Sequence, residues 1–88
     1  MGSYKVEIKK SAFKDLEKLA KDIVPQIFRK IEALSENPRL SQSLKLKGTE
    51  NSYRLRIGRY RIIYRIDDDE KMVVVFGVGH RKEIYRDL

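Results

Sequence analysis

The sequence predicts an α+β fold in which a small antiparallel β-sheet packs against an N-terminal hairpin of two helices, in the order β-α-α-β-β-β. In the first half of the chain, apolar residues recur at helical spacing, and in the second half they alternate with polar residues as in strands. A chain of 88 residues has no room for a second core, so we expect one domain over 1–88.

The first strand and the first helix are indicated by their residue patterns. Apolar and charged residues alternate over Tyr4–Ile8, which predicts a half-buried strand. Ser11 then stands where a helix N-cap is expected. The buried face of this helix is predicted to consist of Phe13, Leu16, Leu19 and Ala20.

The second helix has a start signal and a stop signal. Pro25 is suited to the first turn of a helix, and Asn37-Pro38 ends the helical pattern. Between them, apolar residues at helical spacing predict a buried face of Ile27, Ile31 and Leu34.

The remaining strands follow a polar connection predicted over Arg39–Ser52. Two strands joined at Gly58 are predicted to pair as a hairpin, and an acidic turn precedes a last strand. These segments are Tyr53–Ile57, Tyr60–Ile66, the turn Asp67–Glu70 and the strand Lys71–Val78. The MVVVF core of the last strand indicates a central strand that is buried on both faces.

The composition argues against several classes of protein. There is no cysteine, and one histidine without cysteines does not make a transition-metal site. The longest apolar run, Met72–Val78, is far shorter than a membrane span. The start of the chain does not resemble a signal peptide. We therefore expect a cytoplasmic protein with no membrane segment, no metal and no small-molecule cofactor.

Positive charge is concentrated in one part of the chain. The net charge is +7, and the segment from Arg39 to Arg65 carries eight basic residues against Glu50 alone, so 8 − 1 = +7 accounts for the whole excess. Solvated surfaces usually mix the two signs, so a one-sided cluster favours a polyanionic partner over a simple solubility role.

The strand pattern predicts that the arginines share one sheet face. Within SYRLRIGRYRIIYRI, Arg54 and Arg56 alternate with Leu55, and Arg61 alternates with Ile62. If the helices cover the face of Leu55 and Ile62, the arginines gather on the open face, where guanidinium groups can bind phosphate through two hydrogen bonds. The residues predicted to contact RNA or its phosphates are Arg54, Arg56, Arg59, Arg65, Lys45 and Lys47.

Two residues near the C-terminus have side chains that could serve chemistry beside such a groove. His80 ends the last strand, and histidine can donate or accept a proton near neutral pH. A lone histidine at a strand end is more often a solvated polar residue. Tyr85 could stack on a base.

The order of these motifs resembles the RelE/ParE toxin superfamily, and specifically its RelE-like branch. The motifs are LKLKG, YRLRIGRYRIIYRI, VVVFGVGHR and EIY, in that order, and the resemblance covers nearly the whole chain. It implies the toxin of a type II toxin–antitoxin module, a metal-independent endoribonuclease that cuts mRNA in the ribosomal A site. It also implies contact with ribosomal RNA, and an antitoxin that covers the site and is acidic where it does so.

The resemblance also implies roles for individual residues. The arginines that stabilise the phosphate fall on Arg61 and Arg81, and the tyrosine that stacks on a base falls on Tyr85. His80 stands where some relatives have lysine. Arg54 and Arg56 stand where the best-known RelE proteins have lysines, and arginine, unlike lysine, does not lose its proton to act as a general base. Lys45 and Lys47 match basic residues of the family's loop.

Two other functions fit the same sequence. A ParE-like protein would inhibit DNA gyrase without cutting RNA, and Arg54 and Arg56 keep this alternative open. A non-catalytic relative would bind RNA with a strong dependence on salt but would not cleave it.

Overall fold

The structure, a computed structural model, describes residues 3–39, 43–46 and 51–80. In these residues two helices and five strands follow one another. They are β1 Lys5–Ile8, α1 Lys10–Glu17, α2 Val24–Glu36, β2 Ser43–Lys45, β3 Ser52–Ile57, β4 Tyr60–Asp67 and β5 Met72–His80. The predicted α+β architecture, a sheet packed against an N-terminal pair of helices, is confirmed.

The strands form one mixed sheet in the order β1-β5-β4-β3-β2. Neighbouring strands from β2 to β5 run antiparallel, whereas β1 runs parallel to β5. The prediction of an antiparallel sheet is therefore wrong for this one pair. Residue alternation reports which side chains are buried and carries no information on the direction of the neighbouring strand. The central position predicted for the last strand is confirmed.

The short strand β2 lies inside the segment that was predicted to be a polar connection. Its three residues pair with β3, with Ser43 opposite Leu55 and Lys45 opposite Tyr53. This pairing makes β2 one edge of the sheet. A strand of three residues shows too little alternation to be recognised in a sequence.

The hydrophobic core lies between the helices and one face of the sheet. The helices contribute Ala12, Leu16, Ile27, Ile31 and Leu34 to it. The sheet contributes Leu55, Ile62, Tyr64, Ile66, Val73, Val75 and Val78. The predicted face of the second helix and the predicted burial of Leu55 and Ile62 are both confirmed.

The buried face predicted for the first helix is confirmed only in part, because Leu16 is buried and Leu19 packs partly buried against the core, whereas the other two predicted residues are exposed. Phe13 is 49% exposed, and Ala20 is exposed beyond the end of α1, while Ala12 and Leu16 are buried. Consecutive helical residues are turned by about 100°, so the face of Ala12 excludes Phe13. Ser11 is not the N-cap, because α1 begins at Lys10 and no side chain caps it.

A β-bulge interrupts the pairing of β4 with β5. Ile63 lies opposite Gly77 but Tyr64 lies opposite Val75, so Phe76 is an extra residue on β5. A bulge reverses the alternation of side chains beyond it. For this reason the core side chains of β5 are those of Val73, Val75 and then Val78.

A polar cluster joins the N-terminus to the turn between β4 and β5. Arg39 donates two hydrogen bonds to the carboxylate of Asp68, of 3.3 and 2.8 Å, and the Tyr4 hydroxyl donates a third of 2.6 Å. The hydrogen bonds from Arg39, and then that from Tyr4, lower the pKa of Asp68 from 3.8 to about 2. The same pairing raises the pKa of Arg39.

Two tyrosines connect this cluster to the core. The guanidinium of Arg39 lies 5.6 Å from the ring centroid of Tyr53, and that ring stacks on Tyr64 with centroids 5.9 Å apart. The buried Tyr64 hydroxyl donates to the carbonyl oxygen of Pro38 at 2.6 Å. Burial raises the pKa of Tyr64.

Neither of the two described helices has the length and apolar character needed to cross a membrane.

Replacing Leu34 with alanine is expected to lower the free energy of unfolding by about 2–5 kcal/mol, because the side chain is fully buried and would leave a cavity. Phe13→Ala is the comparison, and it is expected to cost no more than about 1 kcal/mol because half of the Phe13 side chain is already in solvent. Urea unfolding measures both. Equal losses would show that α1 buries the face of Phe13 after all.

The pairing of Asp68 predicts a dependence of stability on pH. The pKa of this carboxyl is lower in the folded protein than in the unfolded chain, so its stabilising effect is complete above about pH 5 and is largely lost by pH 2. The urea midpoints of wild type and Asp68→Asn should therefore differ at pH 7 and converge as the pH falls to 2. Asp69→Asn, in the same exposed turn, is the control. A difference that stays constant down to pH 2 would contradict this assignment.

Candidate nucleic-acid interface

The sheet face that points away from the helices carries four arginines. Side chains alternate along each strand, so the residues between the core positions of β3 and β4 lie on this second face. We call this surface the arginine face, and it comprises Arg54, Arg56, Arg61 and Arg65. The structure thus brings together three of the residues predicted to contact RNA, Arg54, Arg56 and Arg65, with Arg61, which the resemblance implies as a phosphate-stabilising residue.

The register places Arg56 and Arg61 beside each other. They are cross-strand partners on β3 and β4, and directly opposed residues have Cβ atoms roughly 4.5–5.5 Å apart. Two like charges at this spacing repel, and a bound anion would remove that repulsion. The pair is therefore a natural position for a phosphate group.

Arg61 is the most unusual residue of this face. Only 5% of its surface is exposed, and its Nε has no hydrogen-bond partner among the described residues. Its Nη1 donates to the carbonyl oxygen of Tyr60 at 3.3 Å. None of the carboxylates in residues 3–39, 43–46 and 51–80 pairs with it.

A buried guanidinium without a carboxylate partner is unfavourable in a free protein. The neighbouring strand β5 places Gly79 opposite Arg61, so no side chain from that strand fills the adjacent space. The arrangement leaves a permanent positive charge with an unused donor, as expected for a site that binds an anion.

Apolar side chains lie among the arginines. Ile63 and Val74 are on the arginine face and are 1% and 6% exposed, respectively. Leu44 of β2 pairs with Arg54 and is 55% exposed. Leu44 was not predicted as part of the site, because the three residues of β2 are too few to indicate a strand from the sequence.

His80 lies at the same end of the sheet as Arg61 but on the other face. It is the cross-strand partner of Tyr60, which shares the core face with Ile62, and the two rings meet edge to face with centroids 6.1 Å apart. Arg61 pairs instead with Gly79, one residue earlier. The imidazole thus lies on the helix side of the sheet. The sequence predicted that it lies beside the basic groove, and this arrangement places it on the opposite face.

The other predicted contacts are more dispersed. Lys45 is exposed on β2 and pairs with Tyr53, so it lies on the side of Tyr53 and away from the arginine face. Arg59 is exposed in the turn between β3 and β4, at the end of the sheet where Arg61 lies. Lys47, Arg81 and Tyr85 lie outside the described residues.

No group of three histidine, cysteine or acidic side chains that could hold a metal ion occurs in the part of the chain that the structure describes. The acidic turn after β4 forms ordinary turn contacts, since the side chain of Asp67 accepts a hydrogen bond from the backbone N–H of Glu70 at 3.0 Å.

Known proteins resemble this chain in both sequence and fold. Residues 6–85 match the sequence profile of the ParE toxin of the type II toxin–antitoxin system parDE. The chain belongs to this toxin family. Membership covers the whole described fold apart from its first residues.

Relatives within the RelE/ParE superfamily carry RelE-type names. Toxin RelG of Mycobacterium tuberculosis is 38% identical over 87 residues, which are 94% of this chain and 97% of the relative. The mRNA interferase toxin RelE of Escherichia coli is 31% identical over 87 residues, covering 94% and 90% of the two chains. The crystal structure of the toxin–antitoxin complex RelBE2 from M. tuberculosis superposes with a TM-score of 0.80 at 33% identity, and covers 90% of this chain and 99% of that one.

If the arginine face binds single-stranded RNA, the affinity should depend on salt concentration in a defined way. Each phosphate contact adds about 0.7 to the slope of log affinity against log salt concentration. Arg56→Ala should weaken binding of an RNA oligonucleotide and reduce that slope by about this amount. Arg29→Ala removes the same charge from an exposed position on α2 and should leave the slope unchanged. Fluorescence anisotropy over a salt series measures both, and equal effects would show that only net charge matters.

Proposed function

We propose that this protein is the toxin of a type II toxin–antitoxin module and acts as a ribosome-dependent endoribonuclease on mRNA in the A site. The observation that carries the proposal is Arg61, a nearly buried guanidinium with an unused donor beside Arg56. Membership of the toxin family, and a relative that is named an mRNA interferase, support the same reaction.

The proposed reaction is a transesterification within the RNA. The 2′-hydroxyl oxygen attacks the adjacent phosphorus, and the bond from phosphorus to the 5′-oxygen of the next nucleotide breaks. The 2′-hydroxyl proton passes to a base, and the leaving oxygen takes a proton from an acid. The products are a 2′,3′-cyclic phosphate and a free 5′-hydroxyl, and no metal takes part.

Arg61 has the main electrostatic role in this scheme. Charge grows on the phosphoryl oxygens in the transition state, and a donor already in place stabilises it without reorganisation. We assign Arg81 to the same task, as the resemblance implies. Tyr85 is assigned to stacking on a base of the cleaved codon. Lys45, Lys47, Arg54, Arg59 and Arg65 are assigned to RNA contacts.

The two proton transfers need an acid and a base other than the residues at positions 54 and 56. Arg54 and Arg56 stand where RelE proteins have lysines, and arginine remains protonated, so we assign both residues to phosphate binding. His80 remains our candidate for one proton transfer. Because its ring is on the helix side of the sheet, the RNA would have to bend around the end of the sheet near Tyr60 to reach it.

The partner that we propose for the free toxin is a cognate antitoxin with acidic residues at the arginine face. Covering the arginine face with an uncharged surface would desolvate the exposed guanidinium groups of Arg56 and Arg65 and would give the buried Arg61 no anionic partner, so the covering segment needs carboxylates. We place both proteins in the cytoplasm, where mRNA is translated.

Inhibition of DNA gyrase is the second candidate function. The matching family profile is that of ParE, and the arginines at 54 and 56 replace the lysines of RelE proteins. A gyrase inhibitor would use the arginine face for a protein contact and would need no reactive phosphate. A non-catalytic RNA-binding relative is the third candidate.

Primer extension on an mRNA in a reconstituted translation system tests the proposal. Wild type should cut within ribosome-occupied codons, and Arg61→Ala should cut about 10²–10³-fold more slowly because a preorganised donor is lost. Arg81→Ala should also be slow, whereas Arg29→Ala should cut as wild type does. A single 2′-deoxy nucleotide at the cut position should abolish cleavage there.

The other outcomes separate the alternatives. Inhibition of gyrase supercoiling without RNA cleavage would identify the ParE-like activity. Salt-dependent RNA binding with neither activity would identify a non-catalytic relative.

A further inference from the structure

We propose that Ser11 and Asp15 are positioning residues for the cleavage site, acting through two hydrogen bonds that hold the bulged part of β5 to α1. We call these two bonds the α1 clamp. The inference rests on the proposed function and adds two residues on the helix side of the sheet that touch neither RNA nor the reacting atoms.

The α1 clamp joins side chains of the helix to the backbone of the strand. The Ser11 hydroxyl donates to the carbonyl oxygen of Phe76 at 2.8 Å. The backbone N–H of Val78 donates to the Asp15 carboxylate at 3.0 Å. Ser11 and Asp15 are four residues apart and lie on the same helix face, so one face of α1 makes both bonds.

The clamp acts where β5 loses its neighbour. β1 pairs with β5 only over Met72–Val75, and the last bond on that edge runs from the Lys9 N–H to the Val75 carbonyl at 2.8 Å. From Phe76 onward this edge of β5 has no strand beside it among the described residues, and the bulge has reversed the alternation. Ser11 and Asp15 take over the backbone groups that β1 would otherwise satisfy.

The clamped segment is the strand that borders Arg61. Gly77 lies opposite Ile63 and Gly79 lies opposite Arg61, so the clamp holds the residue between the two glycines. Glycine restricts the backbone less than any other residue, and a segment that contains two of them has little intrinsic stiffness. Arg81 follows this segment two residues after Gly79.

A small displacement of this segment would alter the reaction. Displacing a catalytic group by about 1 Å can cost roughly 10²-fold in rate. Because α1 packs on the sheet face opposite the arginine face, breaking the α1 clamp would displace β5 beside Arg61 without removing any charge that binds RNA. The predicted signature is therefore a lower kcat with an unchanged KM.

Matched variants of α1 test this prediction. Asp15→Ala removes the acceptor, Asp15→Asn retains an acceptor oxygen, and Ser11→Ala removes only the hydroxyl. Glu17→Ala is the control, because it removes the same charge from an exposed position on the same helix. The readouts are amide hydrogen exchange at Val78 and single-codon mRNA cleavage on ribosomes, with kcat expressed per folded protein.

In Asp15→Ala, we expect Val78 exchange to rise at least about tenfold, since a hydrogen bond to a charged group is lost. We expect kcat to fall about tenfold to hundredfold with KM within about twofold. Asp15→Asn should recover most of both losses, and Glu17→Ala should match wild type. If Asp15→Ala does not fold, Ser11→Ala gives the same test with a smaller expected loss in kcat.

Three results would overturn the inference. They are unchanged exchange at Val78 in Asp15→Ala, faster exchange with an unchanged kcat, and no recovery in Asp15→Asn. A wild type that does not cleave mRNA at all would instead refute the proposed function, and the positioning role would fall with it. Cleavage by wild type with equally fast Asp15→Ala would refute the positioning role alone.

Discussion

A β-strand can bury only alternate side chains against a single layer of helices, and the arrangement of this protein depends on that constraint. The two helices cover one face of the sheet, where Leu55 and Ile62 belong to the same core cluster as Ile27 and Leu34. Every residue between those core positions is directed to the other face. The arginines of β3 and β4 occupy those positions, so the pattern that builds the core also assembles the arginine face.

That face carries an energetic cost that the core must offset. Arg61 is almost entirely buried without a carboxylate partner in the described residues, and Arg56 lies directly across from it. Unpaired charge of this kind opposes folding, and it is commonly found where a protein has to bind an anion. In our proposal the phosphate of RNA, or the carboxylates of an antitoxin, supply what the free protein lacks.

The two ends of the sheet differ in how their arginines are paired. At the end near the acidic turn, Arg39 is paired with Asp68, and Tyr4 adds a further bond. At the opposite end, Arg59, Arg61 and the glycines of β5 stand near the bulge. The bulge itself is held by Ser11 and Asp15 from α1. Among the described residues, the guanidinium of Arg39 is thus paired with a carboxylate, whereas that of Arg61 is not.

Local pattern alone determined most of the elements of this protein. Period-two alternation identified β3 and β4, a continuous apolar run identified β5, helical spacing identified the buried face of α2, and the run of arginines indicated a basic sheet face. Each of these signals lies within a few neighbouring residues. Tertiary structure decided the rest: the parallel pairing of β1 with β5, the exposure of Phe13, the burial of Arg61, the side taken by His80 and the use of Ser11. Each of these depends on which distant segment packs beside the residue, and the local sequence pattern does not indicate that contact.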